Sequence, residues 1–117
     1  MIRLAKESDL EEINDIYNEA VLNSVATFDT IIKTIDERIA WFHSREDKHV
    51  VLVCIRNDKV VGWSSLNRYS DRAAYDFTVE NSIYIHKDYR GSGFGKLLMI
   101  ETLNKARQHG IHSILSR

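Results

Sequence analysis

Between Tyr75 and His109 a strand, a glycine-rich turn and a helix follow one another, and this succession constrains the fold more than any other stretch. Tyr75, Phe77, Thr78, Val79, Ile83, Tyr84 and Ile85 are β-formers and predict a long strand over 75–85. Leu97, Leu98, Ile100, Leu103 and Ala106 recur at helical spacing and predict a helix over 94–109, stopped by Gly110. Between them lies Arg90-Gly91-Ser92-Gly93-Phe94-Gly95-Lys96. Glycine lets backbone approach a ligand closely. The first amides of a helix lack internal partners, and the helix dipole adds partial positive charge there. A turn of this kind suits a phosphate or pyrophosphate, with Arg90 and Lys96 adding charge at either end. A loop that merely caps the helix is the plainer alternative.

Two phosphate motifs fail on particular residues. A nucleoside-triphosphate loop needs glycine at position 90 and Ser or Thr at 97, where Arg90 and Leu97 stand. The dinucleotide fingerprint needs glycine at position 96, which is Lys96. Upstream, Glu80-Asn81-Ser82 puts three polar residues inside the expected strand, which is costly unless a bulge or a ligand uses them.

The remaining elements are shorter. Ile2 and Leu4 flank Arg3 in a strand pattern. Ser8-Asp9-Leu10-Glu11 reads as a capping box before a helix with Leu10, Ile13, Ile16, Tyr17, Ala20 and Val21 on one stripe. Residues 23–30 read as an exposed loop. Thr34-Ile35-Asp36-Glu37 opens a second helix, with Ile35, Ile39 and Phe42 expected inward and Trp41 beside them. Val50–Ile55 is an apolar, β-branched run expected to be buried on both faces. Asn57-Asp58-Lys59 turns it into a second strand, Val60–Leu66. A last strand begins at Ile111.

A chain of 117 residues suits one domain, 1–117. Net charge of -1 gives no footprint for nucleic acid or an anionic membrane, and no apolar run approaches the roughly 18 residues of a membrane span. The single Cys54 reads as a buried structural thiol, in keeping with a reducing cytoplasm. Of five histidines, His109 and His112 alone share helical spacing, and Gly110 separates them. No metal site is expected, and surface histidines are.

The run Arg90-x-x-Gly93-x-Gly95 is similar to the pyrophosphate-binding signature of the GNAT acetyltransferases. Ile13-Asn14-Asp15-Ile16-Tyr17-Asn18-Glu19-Ala20-Val21, Ala40-Trp41-Phe42 and the segment from Tyr75 to Ile85 resemble the phosphinothricin and methionine-sulfoximine N-acetyltransferase branch. The resemblance covers essentially the whole chain. It implies an α/β (α+β) GNAT fold, a mixed, mostly antiparallel sheet flanked by helices, without the usual C-terminal strands and helix. It implies acetyl-CoA as co-substrate. Backbone groups of Ile83, Tyr84 and Ile85 would meet the pantetheine arm. Arg90, Gly91, Ser92, Gly93, Phe94, Gly95 and Lys96 would take the pyrophosphate. Glu80, Asn81 and Ser82 would line the amine pocket, with Ala73, Ala74 and Tyr75 opposite.

The implied reaction is direct attack by the primary amine of a small amino-acid-like substrate on the thioester, in a ternary complex. Such an amine is mostly protonated at neutral pH, so a base is needed, and Glu80 is the candidate. The alternative is that Glu80 only attracts the ammonium group. An amide near Ile85 would meet the oxyanion. The family continues beyond Arg117 with a further helix and strands, so a second reading is an incomplete coenzyme-A-binding fragment that needs another chain. A nucleotide-binding regulatory domain is a third. A homodimer is expected, formed by segment exchange in one version.

Overall fold

The computed structural model describes residues 1–23, 32–68, 78–111 and 113–116. In chain order these form β1 (Ile2–Leu4), α1 (Leu10–Leu22), α2 (Ile35–His43), β2 (Val51–Arg56), β3 (Lys59–Arg68), β4 (Thr78–Ile85), α3 (Phe94–Gln108) and β5 (Ser113–Ser116). The strands lie in one sheet in the order β1-β2-β3-β4-β5. The first four are antiparallel neighbours, and β5 runs parallel to β4.

The hairpin turn falls where its residues place it. Asn57 and Asp58 both have positive φ, 52° and 63°, the conformation that suits the twist of two antiparallel strands. Apolar side chains alternate between two faces. Val51, Val53 and Trp63 meet Leu10, Ile13 and Ile16 of α1. Leu52, Cys54 and Val61 meet Leu98 of α3 on the other face. Val50 to Ile55 is therefore covered on both sides, as its β-branched run predicts. Cys54 is a buried free thiol, and burial pushes its pKa up.

Several expectations need correction. Ser8 does not cap α1; Asp9 precedes the helix with no side-chain cap bond. The Asp9 carboxylate is spent on Arg3, at 2.7 and 3.0 Å, and on the Lys6 amide at 2.7 Å. Charge-assisted bonds to a guanidinium outcompete a weak cap. In α2 the Thr34–Glu37 box forms in both directions, at 3.0 and 3.1 Å. Yet Ile35 is exposed and Arg38 is the buried residue of that helix. Leu97 and Ile100 of α3 are also exposed, and the buried line is Leu98, Thr102 and Ala106, one turn apart. Thr102 is tolerated inside because its hydroxyl donates to the Leu98 carbonyl at 2.6 Å and meets the Ser64 hydroxyl at 2.7 Å. His49 is buried rather than on the surface, and burial lowers its pKa.

Gly62 lets α3 close on the sheet. A Cβ there would stand 2.7 Å from the tip of Ile85 and 3.2 Å from both Leu98 and the Tyr84 carbonyl. An isolated glycine in a strand signals such an approach. Gly62→Ala is expected to cost about 1–3 kcal/mol by overpacking, read as a lower urea midpoint. A pH dependence follows from Asp9, whose pKa is held down chiefly by its bonds to Arg3. Its folded value lies below its unfolded one, so its contribution is present above the ordinary carboxylate range and fades as pH falls through the folded value. Asp9→Asn should lower stability at neutral pH and flatten the acid limb of a stability–pH curve.

Candidate functional site

The glycine turn leaves the end of β4 and enters α3. The His86 amide donates to Val61 at 2.8 Å, and a single 3₁₀ turn, Lys87–Tyr89, follows. Gly91 and Gly93 have φ of +79° and +85°, and Gly93 caps α3. A Cβ on either would meet nothing within 4 Å, so backbone conformation, not crowding, calls for glycine there. The first helical bond runs from the Leu97 amide to the Gly93 carbonyl at 3.2 Å. Phe94, Gly95 and Lys96 therefore present first-turn amides with no intrahelical acceptor. Gly91, Ser92, Gly93 and Lys96 are exposed, and Arg90 with them.

The division of backbone groups along β4 determines what its edge can offer. The His86 amide faces β3, and groups alternate sides along a strand. Ile83 and Ile85 thus turn their amides and carbonyls to the opposite edge, while Tyr84 is committed to β3. On that edge β5 pairs with Thr78 to Asn81 only. Among the described residues no strand covers the edge from Ser82 to Ile85. One of its groups is taken: the Ile85 carbonyl accepts from Arg90 Nε at 3.1 Å.

Side-chain alternation separates the polar trio. Tyr84 packs on the α1 face, edge-on to Tyr17 at 5.3 Å and stacked on Trp63 at 4.9 Å. Glu80 and Ser82 share that face by register. Ser82 accepts from Asn67 Nδ2 at 3.3 Å, and Asn67 Oδ1 accepts from Arg45 at 3.1 Å. Asn81 lies on the α3 face, where its amide approaches Met99 sulfur at 3.2 Å and its Oδ1 has no partner. The strand is regular through all three residues, and the register shift sits instead at Cys54/Ile55. So Glu80 and Ser82 come together and Asn81 does not join them. Ala73, Ala74 and Tyr75 lie outside the described residues.

Sequence reading missed a basic, aromatic floor on the same face. The Arg38 guanidinium lies 4.7 Å from the Tyr17 and Trp41 ring centres and 5.4 Å from Trp63. Its Nε donates to Asn14 at 3.2 Å. Arg45 sits 4.3 Å over the Trp41 ring. Burial lowers the pKa of both, that of Arg45 to about 10. Trp41 and Arg38 line a cavity of about 440 Å³ with Lys33, Glu37, Ala40 and Ser44. The signal that could have found Arg38 is its position: it shares the turn of α2 with Trp41 and Phe42. A hollow of about 380 Å³ is bordered by Phe42, Arg45, His49, Val51 and Lys105, and neither the turn nor Glu80 lines it. Among the described residues no group of three or more His, Cys, Asp or Glu is placed to hold a metal ion, and no helix is long and apolar enough to cross a membrane.

A mostly antiparallel sheet whose β4 edge is uncovered from Ser82 to Ile85 among the described residues, followed by a glycine turn into a helix, is the arrangement of a coenzyme-binding acyltransferase fold. Residues 10–116 match the acetyltransferase (GNAT) family, and the chain belongs to that family. The L-amino acid N-acyltransferase MnaT of Escherichia coli K12 is 35% identical over 116 residues, 98% of this chain and 67% of the relative. The L-methionine sulfoximine/L-methionine sulfone acetyltransferase of Salmonella typhimurium LT2 is 33% identical, over 98% of this chain and 68% of its own length. A phosphinothricin acetyltransferase from Sinorhizobium meliloti, solved in complex with acetyl-CoA, superposes with a TM-score of 0.92 at 30% identity, covering 99% of this chain and 64% of its own.

The left-handed Gly93 yields a stability test. Gly93→Ala places a Cβ in a conformation that costs about 1–2 kcal/mol, and the melting temperature should fall accordingly. Gly95→Ala, at ordinary φ and 3.9 Å from Ile85, should change it little.

Proposed function

We propose that this chain transfers acetyl from acetyl-CoA to the primary amine of a small amino-acid-like substrate, of the methionine-sulfoximine, methionine-sulfone or phosphinothricin type. The observation that carries the reading is one strand doing two jobs. β4 leads into the glycine turn at one end and holds Glu80 near the other, about 16 Å away at the rise of an extended strand. The names of the relatives supply the substrate class.

The residues fit the coenzyme. First-turn amides of α3 and Lys96 face a pyrophosphate with no Cβ in the way at Gly91 or Gly93. The edge-facing groups of Ile83 and the Ile85 amide suit an amide-bearing arm laid along the strand edge, the Ile85 carbonyl being held by Arg90. When bound, acetyl-CoA supplies a thioester carbonyl for the amine to attack. Glu80 takes the proton from the ammonium group, directly or through a water. An edge-facing strand amide near Ile85, that of Ile83 being the nearer to Glu80, would donate to the oxygen that gains charge as the C–N bond forms. The carbonyl then re-forms as the C–S bond breaks, and the departing thiolate takes up the second amine proton to leave as the thiol. Arg38 and Arg45, with Trp41 between them, lie on the sheet face that Glu80 shares by register. Cys54 lies on the α3 face two strands away and takes no part. A homodimer, with or without segment exchange, is part of the proposal and is read by sedimentation with and without acetyl-CoA.

Two measurements test it. Thiol release from acetyl-CoA is expected with at least one of the three named amines, and silence across the panel rejects catalysis by this chain. Calorimetry with CoA separates binding from turnover, so binding without release marks a coenzyme module instead. Glu80→Gln should cut turnover by about 10²- to 10⁴-fold while CoA affinity holds. Equal turnover would exclude Glu80 as the base.

A further inference from the structure

Tyr17-Asn18-Glu19 belongs to a segment that carried the family resemblance, yet nothing in the proposed chemistry uses it. The structure shows three consecutive residues reaching three separate parts of the molecule. Tyr17 meets Tyr84 on β4. Asn18 accepts from the Lys33 amide at 2.8 Å and donates to the Lys33 carbonyl at 2.9 Å, fastening the backbone just before α2. Glu19 bonds Arg90 Nη2 at 2.9 Å, across 71 residues of sequence. Successive residues on a helix point about 100° apart, so one turn of α1 can address all three.

Glu19 stands in the last turn of α1, where the helix dipole is negative and no basic residue offsets it. An acid there is locally unfavourable. Its Oε1 accepts from Asn23 Nδ2 at 3.2 Å, and its charged partner comes from the turn. The same guanidinium is held at Nε by the Ile85 carbonyl, so two bonds orient its plane. Arg90 is thereby tied to the end of β4 and to α1 at once. Between those ties and Gly93 lie only Gly91 and Ser92, so the anchor sets where the first amides of α3 stand.

We propose that Glu19 is a positioning residue for coenzyme binding, acting through Arg90: it fixes the turn so that the α3 amides are arranged before the pyrophosphate arrives. Its carboxylate does not touch the coenzyme. Near an anion site an unpaired Glu19 would repel the ligand, and the Arg90 bond neutralises it. The inference rests on the coenzyme reading above.

Calorimetric titration of CoA into the wild type, Glu19→Gln, Arg90→Gln and the double variant tests it, with the amine KM measured alongside. Glu19→Gln is expected to weaken CoA about three- to tenfold, in the range of a partly exposed ion pair and its pre-ordering. The amine KM should stay unchanged, and Glu19→Asp should restore part of the affinity. The double variant should bind no worse than Arg90→Gln alone, because both changes cut one link. Wild-type affinity in Glu19→Gln, or losses that add in full in the double variant, overturns the proposal while leaving the coenzyme reading standing. Equal loss in the amine KM overturns it too, since that marks general disorder. A wild type that binds no CoA rejects the coenzyme reading and this inference together. If Glu19→Gln fails to fold, the same comparison is made with Glu19→Asp and Arg90→Lys.

Discussion

The backbone groups of β4 have to be shared between two edges, and the site depends on how they are shared. Every second residue bonds β3, which ties the strand into the antiparallel sheet. The alternate residues face β5 as far as Asn81 and then face nothing described. Were the register one residue out, Ile83 and Ile85 would spend their amides on β3, and Glu80 would turn its side chain toward α3. The close approach at Gly62 helps hold the correct alternative, because Ile85 and Leu98 both fill the space a side chain would need.

The helices sort themselves onto the two faces by what the strands present. α3 covers an aliphatic surface and brings its N-terminus to the end of β4. α1 and α2 cover a surface with Trp63 and Tyr84 in it, and the rings accept the Arg38 guanidinium where an aliphatic core would not. One face is thus dry and structural around Leu98, and the other carries charge beside Glu80. This split sets the glycine turn against an aliphatic cluster, while the face that carries Glu80 is lined by polar and aromatic groups.

Much of this was legible in the residues, for identifiable reasons. Val50–Ile55, the Asn57-Asp58 turn and the helix opening at Phe94 carry local signals strong enough to survive packing. The glycine turn was legible because two of its residues need positive φ. The failures came where tertiary contacts overrode local pattern. Arg38 displaced Ile35 from the inner face of α2, since the floor beneath it is aromatic rather than aliphatic. The expected Ser8 box did not form, and Asp9, the residue that precedes the helix, bonds Arg3 of β1 instead. Asn81 parted from Glu80 because a regular strand sends neighbours to opposite faces, and only an irregularity there would have kept them together.

Cys54 has a use beyond its packing. It is the only sulfhydryl in the chain, 2% exposed, covered by α3 and held between β1 and β3. A thiol reagent can reach it only after the sheet parts from that helix. Its rate of alkylation is therefore a clock for opening of the dry face, independent of any chemistry at the turn. Ligands that brace the N-terminus of α3 would slow that clock, and the slowing would measure how far the turn and the core move as one body.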